Sequence, residues 1–256
     1  MASTGNLKDT YDIRDLSVIF RPVTPAPPSR IDLRTLNTIH VYHQGAPPTC
    51  TAHAVASAFE IIQNTRHPGN TFMPSRSFLY YNTRLLEGTH TSITGTSIRN
   101  CIKTLASTGA CNEVVWPYDT TRLTVKPPAT AYTQAPLNRI TRYARLTLTL
   151  AQIKLCLFSG HPFVFGMKCY DHWYKAVGGA IPATIPTTAR SLGGHAMMCV
   201  GYDDTRQVVI VLNSWGATWG DKGYAYIPYS LFLRVGEVYD PWVLFGVTVP
   251  PTATIA

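Results

Sequence analysis

Apolar positions divide the chain into a helical half followed by a β half. From Cys50 to Gln63 there is no Gly or Pro, and Ala54, Ala58, Ile61 and Ile62 recur at helical spacing. This predicts a helix with Thr49 as its N-cap. A second helix is predicted over Ser75–Glu87, between Pro74 and Gly88, with Phe78, Leu79, Tyr81 and Leu85 as core positions. A third is predicted over Ser97–Ser107, stopping near Gly109. Further on, Pro162–Met167, His195–Tyr202, Val208–Leu212 and Gly223–Ile227 are short apolar or alternating runs and read as strands. Asp203–Arg206 reads as a hairpin turn between two of them.

Helices followed by strands predict an α+β fold. The prolines at 127, 128 and 136 place the boundary between the halves near residues 120–140. Residues 1–30 are polar, end in a proline-rich stretch and read as an extended arm. The organisation expected is therefore an arm over 1–30, a helical lobe over 31–130 and a β lobe over 131–256.

With 256 residues, 45% hydrophobic and 14% charged, the chain is globular in composition and not disordered. A net charge of +8 would suit acidic partners, but the basic residues are scattered. No Lys/Arg-rich arm or nucleic-acid signature accompanies them, so nucleic-acid binding is not expected. No apolar run approaches the roughly 20 residues of a membrane span, and Met1–Lys8 has no signal-like apolar segment. The expectation is an intracellular protein, not classically secreted, with no membrane partner. Its six cysteines are expected to be free thiols, with Cys101, Cys156 and Cys199 as small core residues. The eight histidines show no metal-ligand spacing and there is no phosphate-binding glycine loop, so neither metal nor cofactor is expected.

Cys50 opens the first predicted helix. Unpaired N–H groups and the helix dipole at such a start favour thiolate and lower a cysteine pKa. Taken alone, Cys50 reads as a buried structural cysteine, His195 as a structural histidine and Asn213 as a turn residue. Taken together, they match a nucleophile, a base and an orienting amide.

Three ordered segments resemble the papain/cathepsin family of cysteine peptidases. Gln44-Gly45-Ala46-Pro47-Pro48-Thr49-Cys50 resembles the segment with the oxyanion-hole Gln and the catalytic Cys. Gly194-His195-Ala196, with Val200-Gly201-Tyr202, resembles the catalytic His segment. Asn213-Ser214-Trp215-Gly216, running on to Tyr224, resembles the catalytic Asn segment. The resemblance spans residues 31 to about 245 and implies a two-lobed papain-like fold with the active site between the lobes. It implies thiol-dependent peptide hydrolysis through an acyl-enzyme, with Cys50, His195, Asn213 and Gln44 catalytic. The Cys50-to-His195 separation falls within the range typical of papain-type enzymes, and Asn213 lies slightly beyond it. Gly95, Thr96, Gly166, Gly194 and Trp215 are implied at the substrate site, Trp215 as a shield over the His–Asn bond. Implied partners are a protein or peptide substrate and a proteinaceous inhibitor of a monomeric enzyme.

Some positions depart from the family pattern. Pro47 and Thr51 stand where relatives commonly have Cys and Trp, and Pro48 replaces a usual Gly. Together with Pro74–Asn82 these features resemble a divergent intracellular branch from bacteria and large DNA viruses. The arm is shorter than the family's inhibitory propeptide, yet long enough to lie across the cleft. The short arm, Thr51 and Pro48 leave room for an alternative, a non-catalytic binding or virion protein on the same fold; a further alternative, because fold does not settle the reaction, is acyl transfer or isopeptide cleavage by the same triad.

Overall fold

A computed structural model describes residues 4–35, 39–66 and 72–248. Residues 1–3 of the expected arm and 249–256 of the expected β lobe lie outside these. The elements are, in order, β1 (Asn6–Leu7), β2 (Ser17–Val18), β3 (Arg30–Asp32), α1 (Cys50–Arg66), α2 (Arg76–Leu86), β4 (Thr96–Ser97), α3 (Ile98–Ser107), α4 (Ala129–Gln134), β5 (Ile140–Leu146), α5 (Leu150–Phe158), β6 (Phe163–Tyr170), β7 (Ser191–Asp203), β8 (Val208–Leu212), β9 (Tyr224–Pro228), α6 (Tyr229–Phe232) and β10 (Val238–Val247).

α1 forms where predicted and runs three residues further. Every residue from Cys50 to Gln63 is buried, so no face of that stretch meets solvent. Its alanines let it pack closely against β7, β10, α2 and α3. Thr49 precedes it as expected, and its carbonyl accepts the His53 N–H at 3.2 Å. The Thr49 hydroxyl, however, hydrogen-bonds to the Tyr118 hydroxyl at 2.8 Å. α2 and α3 have true side-chain caps: Ser75 Oγ accepts from the Phe78 N–H and Ser97 Oγ from the Asn100 N–H.

The main sheet has the order β2-β5-β10-β6-β7-β8-β9, with β3 also paired to β7. Apart from the parallel β2–β5 pair, its pairings are antiparallel. With three packed helices beside it, this is the α+β architecture expected. β7 begins at Ser191, so His195 lies within the strand and does not open it. β5, α5 and β10 were not foreseen.

The arm is extended, as its composition suggested, and it is anchored along its length. β1 pairs in parallel with β4 and β2 with the edge of β5. The Phe20 backbone exchanges two hydrogen bonds with the Gln152 side chain, and β3 then joins β7. All six cysteines are unpaired and buried. Among the described residues no helix is long and apolar enough to cross a membrane, and no group of three His, Cys, Asp or Glu is placed to hold a metal ion.

Candidate active site

Cys50 is the first residue of α1, and that helix end abuts β7. The Ala196 N–H points at the Cys50 sulfur, which sets residues 195–196 beside it. β8 ends at Leu212, so the next residue, Asn213, leaves the sheet next to His195. His195 Nε2 donates to Asn213 Oδ1 at 2.7 Å. The same oxygen accepts the Ser214 N–H at 2.8 Å, which fixes the amide. The other ring nitrogen of His195, Nδ1, is buried without a hydrogen-bond partner.

The loop before Cys50 is tied to the segment after Asn213. The Gln44 N–H donates to the Ser214 carbonyl at 2.9 Å, and Ser214 Oγ donates to Gln44 Oε1 at 2.6 Å. Gln44 Nε2 donates to the Pro47 carbonyl at 3.0 Å, inside the same loop. Trp215 lies over His195 with ring centroids 5.1 Å apart, and is itself packed by Tyr174 and Trp219. Thus Gln44, Cys50, His195, Asn213 and Trp215 lie in one place, contributed by three separate stretches of sequence.

Cys50 and His195 are both fully buried, and burial sets their protonation. It pushes the Cys50 thiol up, against N–H groups of Ala196, Gly5 and Thr51 that favour thiolate. The helix start was expected to lower this pKa; desolvation wins instead. Burial lowers His195 to about 4, with the Asn213 hydrogen bond acting in the opposite direction. At neutral pH the pair is therefore a neutral thiol beside a neutral imidazole.

The burying element is the arm. The Gly5 N–H is directed at the Cys50 sulfur, and the Gly5 carbonyl turns away to accept the Thr96 N–H at 2.9 Å. The approach is tight: a Cβ on Gly95 would collide with the Gly5 carbonyl, and one on Gly5 with Pro48. Asn6 fills the next position, against Gly166 and Gly194. All four glycine and threonine positions expected at the substrate site therefore line the strand the arm occupies, while Trp215 stands behind the histidine.

Further along, Asp9 anchors the arm. Its carboxylate accepts from Trp242 Nε1 at 2.8 Å and from the Arg99 N–H at 3.1 Å. Arg145 of β5 spans Asp9, Asp15 and Asp240 at 3.0, 2.9 and 2.8 Å. The Asp9 N–H donates to Asp240 Oδ2 at 2.7 Å. Burial, then repulsion from Asp240, raises the Asp9 carboxyl above its usual range. Sequence reasoning missed this latch. Its signal was the run of acids at 9, 12 and 15 in an otherwise basic chain, which has meaning only once Arg99 and Arg145 are known to face it. Before Thr4 an open groove of about 730 Å³ continues along Tyr174, Lys175 and Arg190.

Known proteins similar to this chain show its family and fold. The family profile described as papain family cysteine protease matches residues 27–231. A peptidase C1-like protein of Acanthamoeba polyphaga mimivirus, itself uncharacterised, is 36% identical over 217 residues, covering 81% of this chain and 70% of that one. Xylellain, a cysteine protease from Xylella fastidiosa, superposes with a TM-score of 0.89 at 34% identity over 96% of both chains. Procathepsin B of Trypanosoma congolense shares the fold, with a TM-score of 0.79 at 18% identity over 95% of this chain and 87% of that one. The chain belongs to the papain family of cysteine proteases.

Proposed function

We propose that this protein hydrolyses peptide bonds with Cys50 as nucleophile, His195 as base and acid, and Asn213 as the group orienting His195, and that the arm holds it latent. The carrying observation is the His195 Nε2–Asn213 Oδ1 bond, which leaves Nδ1 unpartnered on the strand whose next N–H meets the Cys50 sulfur. Residues 31–130 supply Cys50 and residues 131–256 supply His195 and Asn213, as in a two-lobed enzyme with its site between the lobes.

With the arm away, water reaches the pair and the thiol proton passes to His195 Nδ1. The thiolate attacks the substrate carbonyl carbon. The C–N bond breaks as His195 returns its proton to the leaving amine, giving a thioester acyl-enzyme. His195 then takes a proton from water, which attacks the thioester and releases the acid and the Cys50 thiol. The Cys50 N–H and the Gln44 side chain stabilise the oxyanion. Each such donor contributes typically about 3–4 kcal/mol. Trp215 keeps water from the His195–Asn213 bond.

With the arm in place, Cys50 faces an N–H and not a carbonyl carbon, so the arm inhibits without being cut there. A filled cleft also fits a non-catalytic binding protein. Labelling with an epoxide-type thiol-peptidase inhibitor separates the two. Irreversible capture accumulates through transient arm openings, so a slow adduct is expected on the full chain and none on Cys50→Ala. Absence of a Cys50-dependent adduct refutes the peptidase reading.

A further inference from the structure

α1 carries a histidine that the reaction proposed above does not use. His53 lies one helical turn after Thr49, and its ring Nδ1 donates to the Thr49 carbonyl at 2.9 Å. A carbonyl only accepts, so Nδ1 holds the proton of the neutral ring and Nε2 is left as a bare acceptor. Tyr118 packs edge-to-face on the ring with centroids 4.7 Å apart, and Tyr42 does so at 6.0 Å. Burial, then the charge of Arg76, lowers the His53 pKa to about 3, so the ring is neutral at neutral pH. His53 is 1% exposed, and its Nε2 is buried without a hydrogen-bond partner.

Asn213 has the complementary deficit. Its Oδ1 is used twice, by His195 and by the Ser214 N–H, whereas its Nδ2, a donor, is buried without a partner. His53 and Asn213 line the same small cavity between α1, β7 and the end of β8. Its volume of about 10 Å³ is close to the space that one water molecule needs. Most of its wall is apolar, with Ala54, Met197, Met198 and Leu212 among the lining. The hydroxyls of Tyr42 and Ser214, which also border it, donate elsewhere, to Glu60 and Gln44. A buried acceptor and a buried donor, each costly to leave unmet, thus border a space that fits one molecule able to serve both.

We propose that His53 is a positioning residue for the triad: one water in this cavity donates to His53 Nε2 and accepts from Asn213 Nδ2. The Asn213 amide is then held at both ends, Oδ1 by Ser214 and His195 and Nδ2 by the water. His53 is in turn anchored to Thr49, the residue before Cys50. α1 therefore supplies the nucleophile at its first residue and, one turn on, the group that steadies the His195–Asn213 pair. Without the water bond the amide is free to swing about its Cβ–Cγ bond, and the imidazole it holds turns with it, away from the Cys50 sulfur. Such a loss falls on the chemical step and not on substrate binding. This proposal rests on the peptidase reading.

The test is a double-variant cycle on the full chain. kcat and KM for one fluorogenic peptide are measured for wild type, His53→Phe, Asn213→Ala and the double variant. His53→Phe fills the same space without an acceptor. It is expected to lower kcat roughly 5- to 20-fold with KM within about twofold of wild type. In the Asn213→Ala background it is expected to lower kcat by less than about twofold. Loss of the His53–Thr49 bond, a purely structural effect, would instead cost the same factor in both backgrounds. A crystal structure of wild type, which needs no variant to fold, is expected to show an ordered water within about 3.2 Å of both His53 Nε2 and Asn213 Nδ2. An empty cavity, an unchanged kcat in His53→Phe, or an equal fall in both backgrounds overturns the proposal and leaves the peptidase reading standing. No Cys50-dependent turnover by wild type overturns both.

Discussion

Gly5 presents its backbone N–H, not a carbonyl carbon, to the sulfur of Cys50. Cys50, the proposed nucleophile, is therefore covered by chain that it would not attack, and the same cover removes the water that would support an ion pair with His195. Gly5 has no side chain where a Cβ would strike Pro48. In Gly5→Val that overlap costs about 1–3 kcal/mol in the closed form alone. Epoxide labelling of Cys50, followed by mass spectrometry, should accelerate roughly 5- to 100-fold. An unchanged rate would mean that the arm does not control access.

Arg145 is the centre of the latch. Removing it leaves the Asp9 side chain, with no exposed surface, facing Asp240 without its cation. Losing one partner of a buried pair is strongly destabilising; the 24% exposure of Arg145 moderates this to about 1–3 kcal/mol. Arg145→Ala should therefore raise peptide turnover roughly 5- to 100-fold. Raised ionic strength should accelerate wild type more than the variant, measured as initial rates across a salt series.

The protonation of His195 should report the arm. With the arm closed its pKa lies near 4, below the ordinary histidine value of about 6.5, because burial disfavours the cation. The closed form thus binds fewer protons than the open one between those values. Acidification from about 6.5 toward 4 therefore favours opening, by up to about 1.4 kcal/mol per pH unit. Asp9 acts in the opposite sense: its raised pKa lets the closed form keep a proton that the open form has lost. By NMR, the wild-type His195 ring should stay neutral on titration from pH 8 to about 5. In Gly5→Val it should take up its proton at higher pH.

Asn213 holds the imidazole by one 2.7 Å bond. Asn213→Ala leaves a buried ring N–H unpaired and free to rotate, a loss of about 1–3 kcal/mol. Turnover should fall roughly 10- to 100-fold in an arm-displaced background, as kcat more than KM. An effect on KM alone would assign Asn213 to binding.

Much of the frame was legible because local rules and tertiary packing agree there. α2 and α3 start at Ser75 and Ser97, whose hydroxyls do cap, and β8 has the bounds its apolar run suggested. β5 was hidden because Arg142 and Arg145 interrupt its apolar pattern, Arg145 to meet the latch. β10 was hidden by Asp240 and Pro241, which a strand interior normally excludes and which here form the bulge that aims Tyr239. The order of the Cys50, His195 and Asn213 segments was readable as a motif. The direction of the Cys50 pKa was not, because it depends on a distant arm whose composition says only that it is extended. Thr51, a departure from the family pattern with no evident purpose in the sequence, acquires one beside Asn6.

The central claim is that Cys50 is a working nucleophile kept idle by residues 4–9. Steady-state hydrolysis of a fluorogenic peptide by wild type, Gly5→Val and the double variant Gly5→Val/Cys50→Ala tests it most directly. The account predicts slow turnover by wild type, at least fivefold faster turnover by Gly5→Val, and none by the double variant. Turnover that survives Cys50→Ala, or a Gly5→Val chain that folds and yet is no faster than wild type, would contradict it.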